Sequence, residues 1–394
     1  MSSFPVSRPA RHQSPGGHHR VPARVLVSLL LLLLPLCVLW VPNAGAQNAV
    51  EPPTPEEVEA AGTAPLFDDH ETLAITLEAD FPTLKKEDRE PEKETERPAR
   101  LSWVTSDGSA DSLDIQIRTR GNFRLDRRNC EFPPLRINVK KKSTEGTLFQ
   151  GQDKLKLVVT CKLGQSYWEQ YVLLEYLVYR TLNVLTPRSF RVRLVRATYV
   201  DSTGEDDPFT RYAFLIEDDD VMAVRNGARK RDWPGGGQQL DPRSLDPHYA
   251  VLVDVFQYMM GNTDWSGAEM HNMELIQDPD GTPHTVPFDF DFSGMVNTRY
   301  ATPAPELPIR TVRRRLFRGF CPEEVNRGRS VYQEVFQLFL DKKEEIYRLW
   351  ETQPGLDEDR REDSLEYLDE FYETLTDEDR LEYRIFRDCR SLRG

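Results

Sequence analysis

The stretch from Tyr258 to Gly294, YMMGNTDWSGAEMHNMELIQDPDGTPHTVPFDFDFSG, constrains this chain more than any other, because it gathers Asp264, His271, Asn272, Asp289 and Asp291 around one β-hairpin. MELIQ and HTVPF read as two short strands, and DPDG between them carries the Asp and Gly that a tight reversal favours. Folding that hairpin brings Asn272 at its entry close to Asp289 and Asp291 at its exit, with Asp264 on the loop just before. The two aspartates alternate with Phe288, Phe290 and Phe292, so on an extended strand the rings face a core and both carboxylates face one common side. Carboxylates held together repel, and a cation relieves the repulsion. A single Asp or Asn in a loop usually bonds its own backbone. The whole set reads instead as a metal-and-phosphate arrangement.

The amino terminus fixes the compartment. Its first 46 residues carry Arg8, Arg11, Arg20 and Arg24 and no acidic residue, then an apolar run from Val25 to Trp40, then Ala44-Gly45-Ala46. This is a secretory signal pattern with cleavage predicted after Ala46, and the run is short for a membrane span. Export is therefore expected, to a periplasm, cell envelope or the exterior, with no stable membrane insertion afterwards. Loss of the four arginines takes the net charge from −14 to −18, which argues against nonspecific nucleic-acid binding. Cys37 leaves with the signal. Cys130, Cys161, Cys321 and Cys389 remain, an even number with no Cys-x-x-Cys pair, as a disulfide framework requires. Pairing within each half, Cys130 with Cys161 and Cys321 with Cys389, is expected.

Residues 47–66 are rich in Pro and Glu and read as a flexible linker. LAITLEADF, ARLSWVTSD, SLDIQIRTRG, PPLRINVKK and DKLKLVVTCK then alternate as half-exposed strands do. YWEQYVLLEYLVYRTLNVL has apolar residues at helical spacing and ends before Pro187. RVRLVRATYVDS and TRYAFLIEDDD read as a further strand pair. The second half reads as mainly helical. WPGGG lacks the Lys-Ser/Thr of a phosphate loop and reads as a connection. The run Arg310, Arg313, Arg314, Arg315 and Arg318 is the densest basic segment, equally a solvated helix face or an acidic-ligand contact. The fold class expected is α+β: a sheet-rich region over 67–225 carrying one helix, then a mainly helical region over 226–394 with the hairpin at 258–294.

An Asp, then an Asn, then a hairpin, then an Asp is the order in which protein kinases place the catalytic base and two metal ligands. With IRTRGNFR at 117–124, KLKLVV, LLEYLVY, GNTDW with HN, and PFDFDFSG in that order, the chain resembles the spore-coat protein H (CotH) kinase family over about residues 75–295. Phe288 stands where that family commonly has Trp, and the spacing from Asp264 to Asn272 is longer than in usual kinases. The resemblance implies a two-lobed atypical protein-kinase-like fold, with an antiparallel-sheet small lobe carrying one helix and a mainly helical large lobe.

It also implies site residues. Lys156, with Lys154 on the same face, would neutralise nucleotide phosphates, and Glu175 on the following helix would pair with Lys156. Arg120, beside Arg118 and Gly121, would touch phosphate. Glu217 in IEDDD would lie at the hinge that meets the adenine. Asp264 would orient or deprotonate the acceptor, while Asn272, Asp289 and Asp291 would hold Mg²⁺ or Mn²⁺ on ATP. His271 reads as a structural neighbour. The activity implied is phosphoryl transfer to a hydroxyl of a protein substrate, the chain itself included. Two alternatives stand beside it: a non-catalytic envelope or coat assembly protein, and a metal-dependent phosphoester hydrolase using the same carboxylates.

Overall fold

The chain divides into two units, Met1–Ala46 and Gln47–Gly394. A computed structural model describes residues 51–86, 95–105, 108–234, 237–325 and 327–392, all in the second unit. The segment expected to be a signal, with the expected cleavage position, lies outside the described residues.

Seven strands close into a barrel. β1 (Leu73–Ala79), β2 (Arg97–Val104), β3 (Ala110–Thr119), β4 (Leu135–Asn138) and β5 (Lys154–Val158) pair antiparallel in chain order. β5 then pairs with β7 (Phe209–Ile216), and β7 with β6 (Val192–Asp201). The ring is completed by a parallel pairing of β1 with β6, Leu73 opposite Val195 through Ala79 opposite Asp201. The antiparallel small-lobe sheet expected from the sequence is thus corrected to a closed mixed barrel. Closure satisfies the backbone groups that an open sheet would present at its two edges.

Alternation builds the interior. Leu73, Ile75, Leu77 and Ala79 of β1 are buried and meet Leu101, Trp103, Ile115, Ile137, Leu155, Leu157 and Leu215, with Phe81 of α2 (Phe81–Lys86), Phe132 and Phe149 filling the ends. The opposite faces of β5, β6 and β7 are apolar as well. Val158, Val192, Leu194, Phe214 and Ile216 pack under α3 (Trp168–Leu185), whose residues are nearly all buried.

The same core continues without interruption into the rest of the chain: α5 (Pro247–Met259), the hairpin, α6 (Arg329–Asp341), α7 (Lys343–Thr352) and α8 (Glu358–Thr376). This is the second correction. The helix expected inside a separate small lobe is built into the helical half, so a kinase-like division into two lobes is not what these residues form.

α1 (Pro55–Gly62) lies within the segment expected to be a flexible linker. Its capping box is complete, Thr54 Oγ1 accepting from the Glu57 N–H and Glu57 accepting from the Thr54 N–H. Arg191 donates to the carbonyls of Ala61 and Gly62 and so ties α1 to the barrel. Both expected disulfides are formed, Cys130–Cys161 and Cys321–Cys389. No helix among the described residues is long and apolar enough to cross a membrane.

Candidate functional site

The hairpin forms with β9 at Met273–Gln277 and β10 at Pro283–Pro287, Met273 opposite Pro287, and β8 (Arg229–Lys230) adds a third strand. The Phe288 N–H donates to the Asn272 carbonyl at 3.1 Å, which carries the pairing one step past the strands and sets Asn272 beside Asp289. Beyond that point the chain is not extended. Asp289 has φ +63° and Asn272 has φ +53°, a left-handed conformation that side-chain-bearing residues adopt only where their surroundings hold it. Strand alternation therefore does not bring the two aspartates together; a kink at Asp289 does. Its N–H is fixed by the Tyr179 hydroxyl on α3 at 2.9 Å.

A glycine pair ties the two ends of the segment. The Gly294 N–H donates to the Gly261 carbonyl, and the Tyr367 hydroxyl fills the space against both: a Cβ on Gly261 would lie 2.0 Å from that oxygen, and one on Gly294 2.4 Å. The guanidiniums of Arg313 and Arg315 lie over the Tyr367 ring. Part of the basic run thus braces the site from behind.

These constraints bring Asp264, Asn272, Asp289, Asp291 and Arg120 to the lining of one cavity of about 470 Å³, joined by His271 and by Phe123 and Arg124 of the loop after β3. Asp264 is held on all sides. Its Oδ1 meets His271 Nε2 at 2.9 Å, its Oδ2 accepts from Asn272 Nδ2 at 3.1 Å, and its N–H donates to Asn262 Oδ1. His271, read from sequence as a structural neighbour, is in direct contact with the candidate acceptor-orienting group. Because Asn272 spends its Nδ2 on Asp264, its amide oxygen is left for a ligand.

Asp291 lines the cavity, whereas Glu175 of α3 is buried near it and is not part of its lining. Asp291 accepts from the Tyr300 hydroxyl at 2.7 Å; burial, and then the nearby Asp289 charge, push its carboxyl up to about 7. Glu175 is 3% exposed, and no described residue hydrogen-bonds its carboxyl. Burial, then the charges of Asp291 and Asp289, hold it well above the usual carboxylate range. The opposing charge is Arg124, which donates to the Val159 carbonyl and is held ionised against its burial by the field of Tyr300, Asp291, Glu175 and Asp289. No ion pair closes the gap between Arg124 and these acids among the described residues. Phe123 completes the mouth, its ring edge-on to Phe292 at 5.3 Å and tilted against Tyr300 at 5.2 Å.

Three expected residues lie elsewhere. Lys156 does not pair with Glu175: its Nζ meets Asp219 Oδ1 at 2.5 Å, at the start of α4 (Asp219–Arg225), and sits 5.0 Å from the ring centroids of Phe190 and Phe288. Lys230 and Glu274 extend that pair into a network. Burial lowers Lys156 from its ordinary value, while Asp219 is held down at about 2. The two shifts pull in opposite senses; we read the pair as ionised, because Asp219 receives two ammonium groups. Lys154 is exposed at the start of β5. Glu217, expected at a hinge, is fully buried and accepts from the Arg191 N–H and from the guanidiniums of Arg191 and Arg225.

The donors at the cavity are oxygens, the type that suits a hard cation such as Mg²⁺ or Mn²⁺. Among the described residues no group of three or more His, Cys, Asp or Glu side chains is arranged to hold a metal ion. The expected set differs in kind, being two carboxylates and one amide. Sequence reasoning missed Arg124, Tyr179 and Tyr300. Arg124 alone had a signal, as the second arginine of RGNFR.

The chain matches no known protein-family profile, and no curated protein matches it.

Proposed function

We propose that this is an exported, divalent-cation-dependent enzyme of phosphoryl transfer, acting from ATP onto a hydroxyl of a protein, the chain itself included. One observation carries the reading: Asp264, Asn272, Asp289 and Asp291 line one open cavity together with Arg120 and Arg124, and no ion pair among the described residues joins either arginine to these acids. Carboxyls crowded in this way repel when ionised, so a site built this way gains from a ligand that brings its own cation and anion. The ordered motifs similar to the CotH family agree with the chemistry.

Arg120 and Arg124 would meet phosphate oxygens, since guanidinium forks match them. Asn272, Asp289 and Asp291 would hold Mg²⁺ or Mn²⁺, which when bound supplies charge neutralisation on the phosphates. Asp264, fixed by His271 and Asn272, would accept or orient the hydroxyl proton. Lys156 has no part at the phosphates in this reading, because Asp219 already holds it. That engagement favours a second reading, hydrolysis of a phosphoester by the same carboxylates, which needs no lysine–glutamate pair.

The test is phosphate incorporation from labelled ATP with Mn²⁺, measured beside phosphate release and nucleotide binding on the same samples. Asp264→Asn should lower transfer by about 10²–10⁴-fold with affinity near wild type. Release of phosphate without incorporation would replace transfer by hydrolysis. Nucleotide binding unaltered by Asp289→Ala would move the cation elsewhere.

A further inference from the structure

A second concave surface, of about 600 Å³, lies between Arg313–Arg315, α8 and the turn of chain at Arg380–Arg384. Five arginines line it, Arg313, Arg314, Arg315, Arg380 and Arg384, against the carboxylates of Glu370 and Glu373. Such a positive excess stands out in a chain whose net charge is −14. Three of the guanidiniums are committed: Arg313 to Asp363 at 2.9 Å, Arg315 to Glu370 at 2.9 Å, and Arg380 to Glu373 at 2.6 Å. Arg314 and Arg384 are exposed and form no ion pair with any described residue.

The backbone at Arg384 is held in place, and its guanidinium lies over the Tyr383 ring. Arg384 sits in a π-helical turn, Glu382–Phe386, closed by the Arg387 N–H on the Glu382 carbonyl at 3.0 Å. Such turns are rare and recur at functional sites. Shortly after it, the Cys321–Cys389 disulfide pins the chain. The Arg315 side chain is 7% exposed, lies over the Tyr367 ring and donates to the Met259 carbonyl, so the middle of the groove is preorganised. The buried Tyr258 lines the groove as well.

We propose that this groove binds a carboxylate-rich peptide segment, with Arg314 and Arg384 taking two of its acidic side chains. Guanidinium and carboxylate match as bidentate partners. Glu370 and Glu373, both well exposed on the rim, disfavour a densely charged polyanion, whereas acids spaced along a peptide interleave between them. The curvature likewise disfavours a flat anionic membrane.

The experiment is fluorescence anisotropy with the full chain at low salt. The probe is a labelled peptide of about ten residues alternating Glu and Ser, compared with its Gln–Ser counterpart and with inorganic polyphosphate. The Glu peptide should bind and be released by salt. The double variant Arg314→Ala/Arg384→Ala should weaken it at least about tenfold at an unchanged melting temperature, and Asp264→Asn should leave it unaltered. Equal binding by wild type and the double variant, equal binding of the Gln peptide, tighter binding of polyphosphate, or no binding of the Glu peptide would each overturn the assignment. Phosphoryl transfer is not part of the readout, so failure here leaves the reading of the acid cavity standing, and failure there leaves this one.

Discussion

Glu217 and Glu175 are both buried glutamates, one after β7 and one on α3, yet they are treated in opposite ways. Glu217 accepts from a backbone N–H and two guanidiniums, and its neighbours are rigid barrel and helix. Glu175 accepts from no described residue and shares its surroundings with Asp289 and Asp291. A satisfied buried carboxylate is part of the scaffold; a buried carboxyl with no partner is stability given up in favour of a ligand. The contrast separates scaffold from site without reference to any relative.

The largest effect should come from breaking the satisfied side. Glu217→Ala strands Arg191 and Arg225 and should cost about 3–5 kcal/mol, read by urea unfolding. A loss below about 1 kcal/mol would mean that Glu217 is not the keystone of that network. On the open side, Mn²⁺ should raise stability by about 2.7 kcal/mol at a hundred times its dissociation constant, and Asp289→Ala should abolish the gain. A gain that survives the substitution would put the cation elsewhere.

Next in size is Glu175→Gln, which removes the need to hold a proton in a crowded acidic site. Without a cation at neutral pH it should raise stability by about 1 kcal/mol, whereas a cost above that would show a hidden partner. The pH dependence has a definite sign. Folding raises the Asp291 carboxyl to about 7 and Glu175 upward as well, so between the ordinary carboxylate value and about 7 the folded chain binds protons that the unfolded chain has released. The Asp291 share of stability is full below the ordinary carboxylate value and is lost as pH rises through about 7, and the Glu175 share falls with rising pH in the same sense. Asp291→Asn should flatten its share, as thermal melts across pH would record. The smallest expected change is at His271: His271→Ala should lower transfer several-fold through a misplaced Asp264, and His271→Gln, which keeps a donor near Nε2, should restore most of it at unchanged nucleotide KM.

Local patterns were legible and distant pairings were not. The strands, α3 and the hairpin follow from alternation, helical spacing and turn residues. The disulfides follow from pairing cysteines within each half. The gathering of Asp264, Asn272, Asp289 and Asp291 also follows from the hairpin, although the kink at Asp289 replaces the strand expected there. The parallel seam between β1 and β6 leaves no local signature, because no turn joins the two strands. Asp219 was hidden for a related reason: it opens a short helix in IEDDD and reaches Lys156 only through the tertiary fold. α1 was legible in principle, since Thr54 and Glu57 spell a capping box, but the Pro- and Glu-rich composition outweighed it.

The seam between β1 and β6 also sets an order of assembly. A chain made from its N-terminus can zip β1 through β5 by successive antiparallel reversals, but the clasp for β1 arrives about 120 residues after it. Until α3, β6 and β7 have been made, β1 and β5 both present open edges to any neighbouring chain. A fragment ending before Val192 is therefore not a smaller version of this domain but a sticky half-ring. Holding it apart from its copies would fall to a chaperone or to fast completion of synthesis.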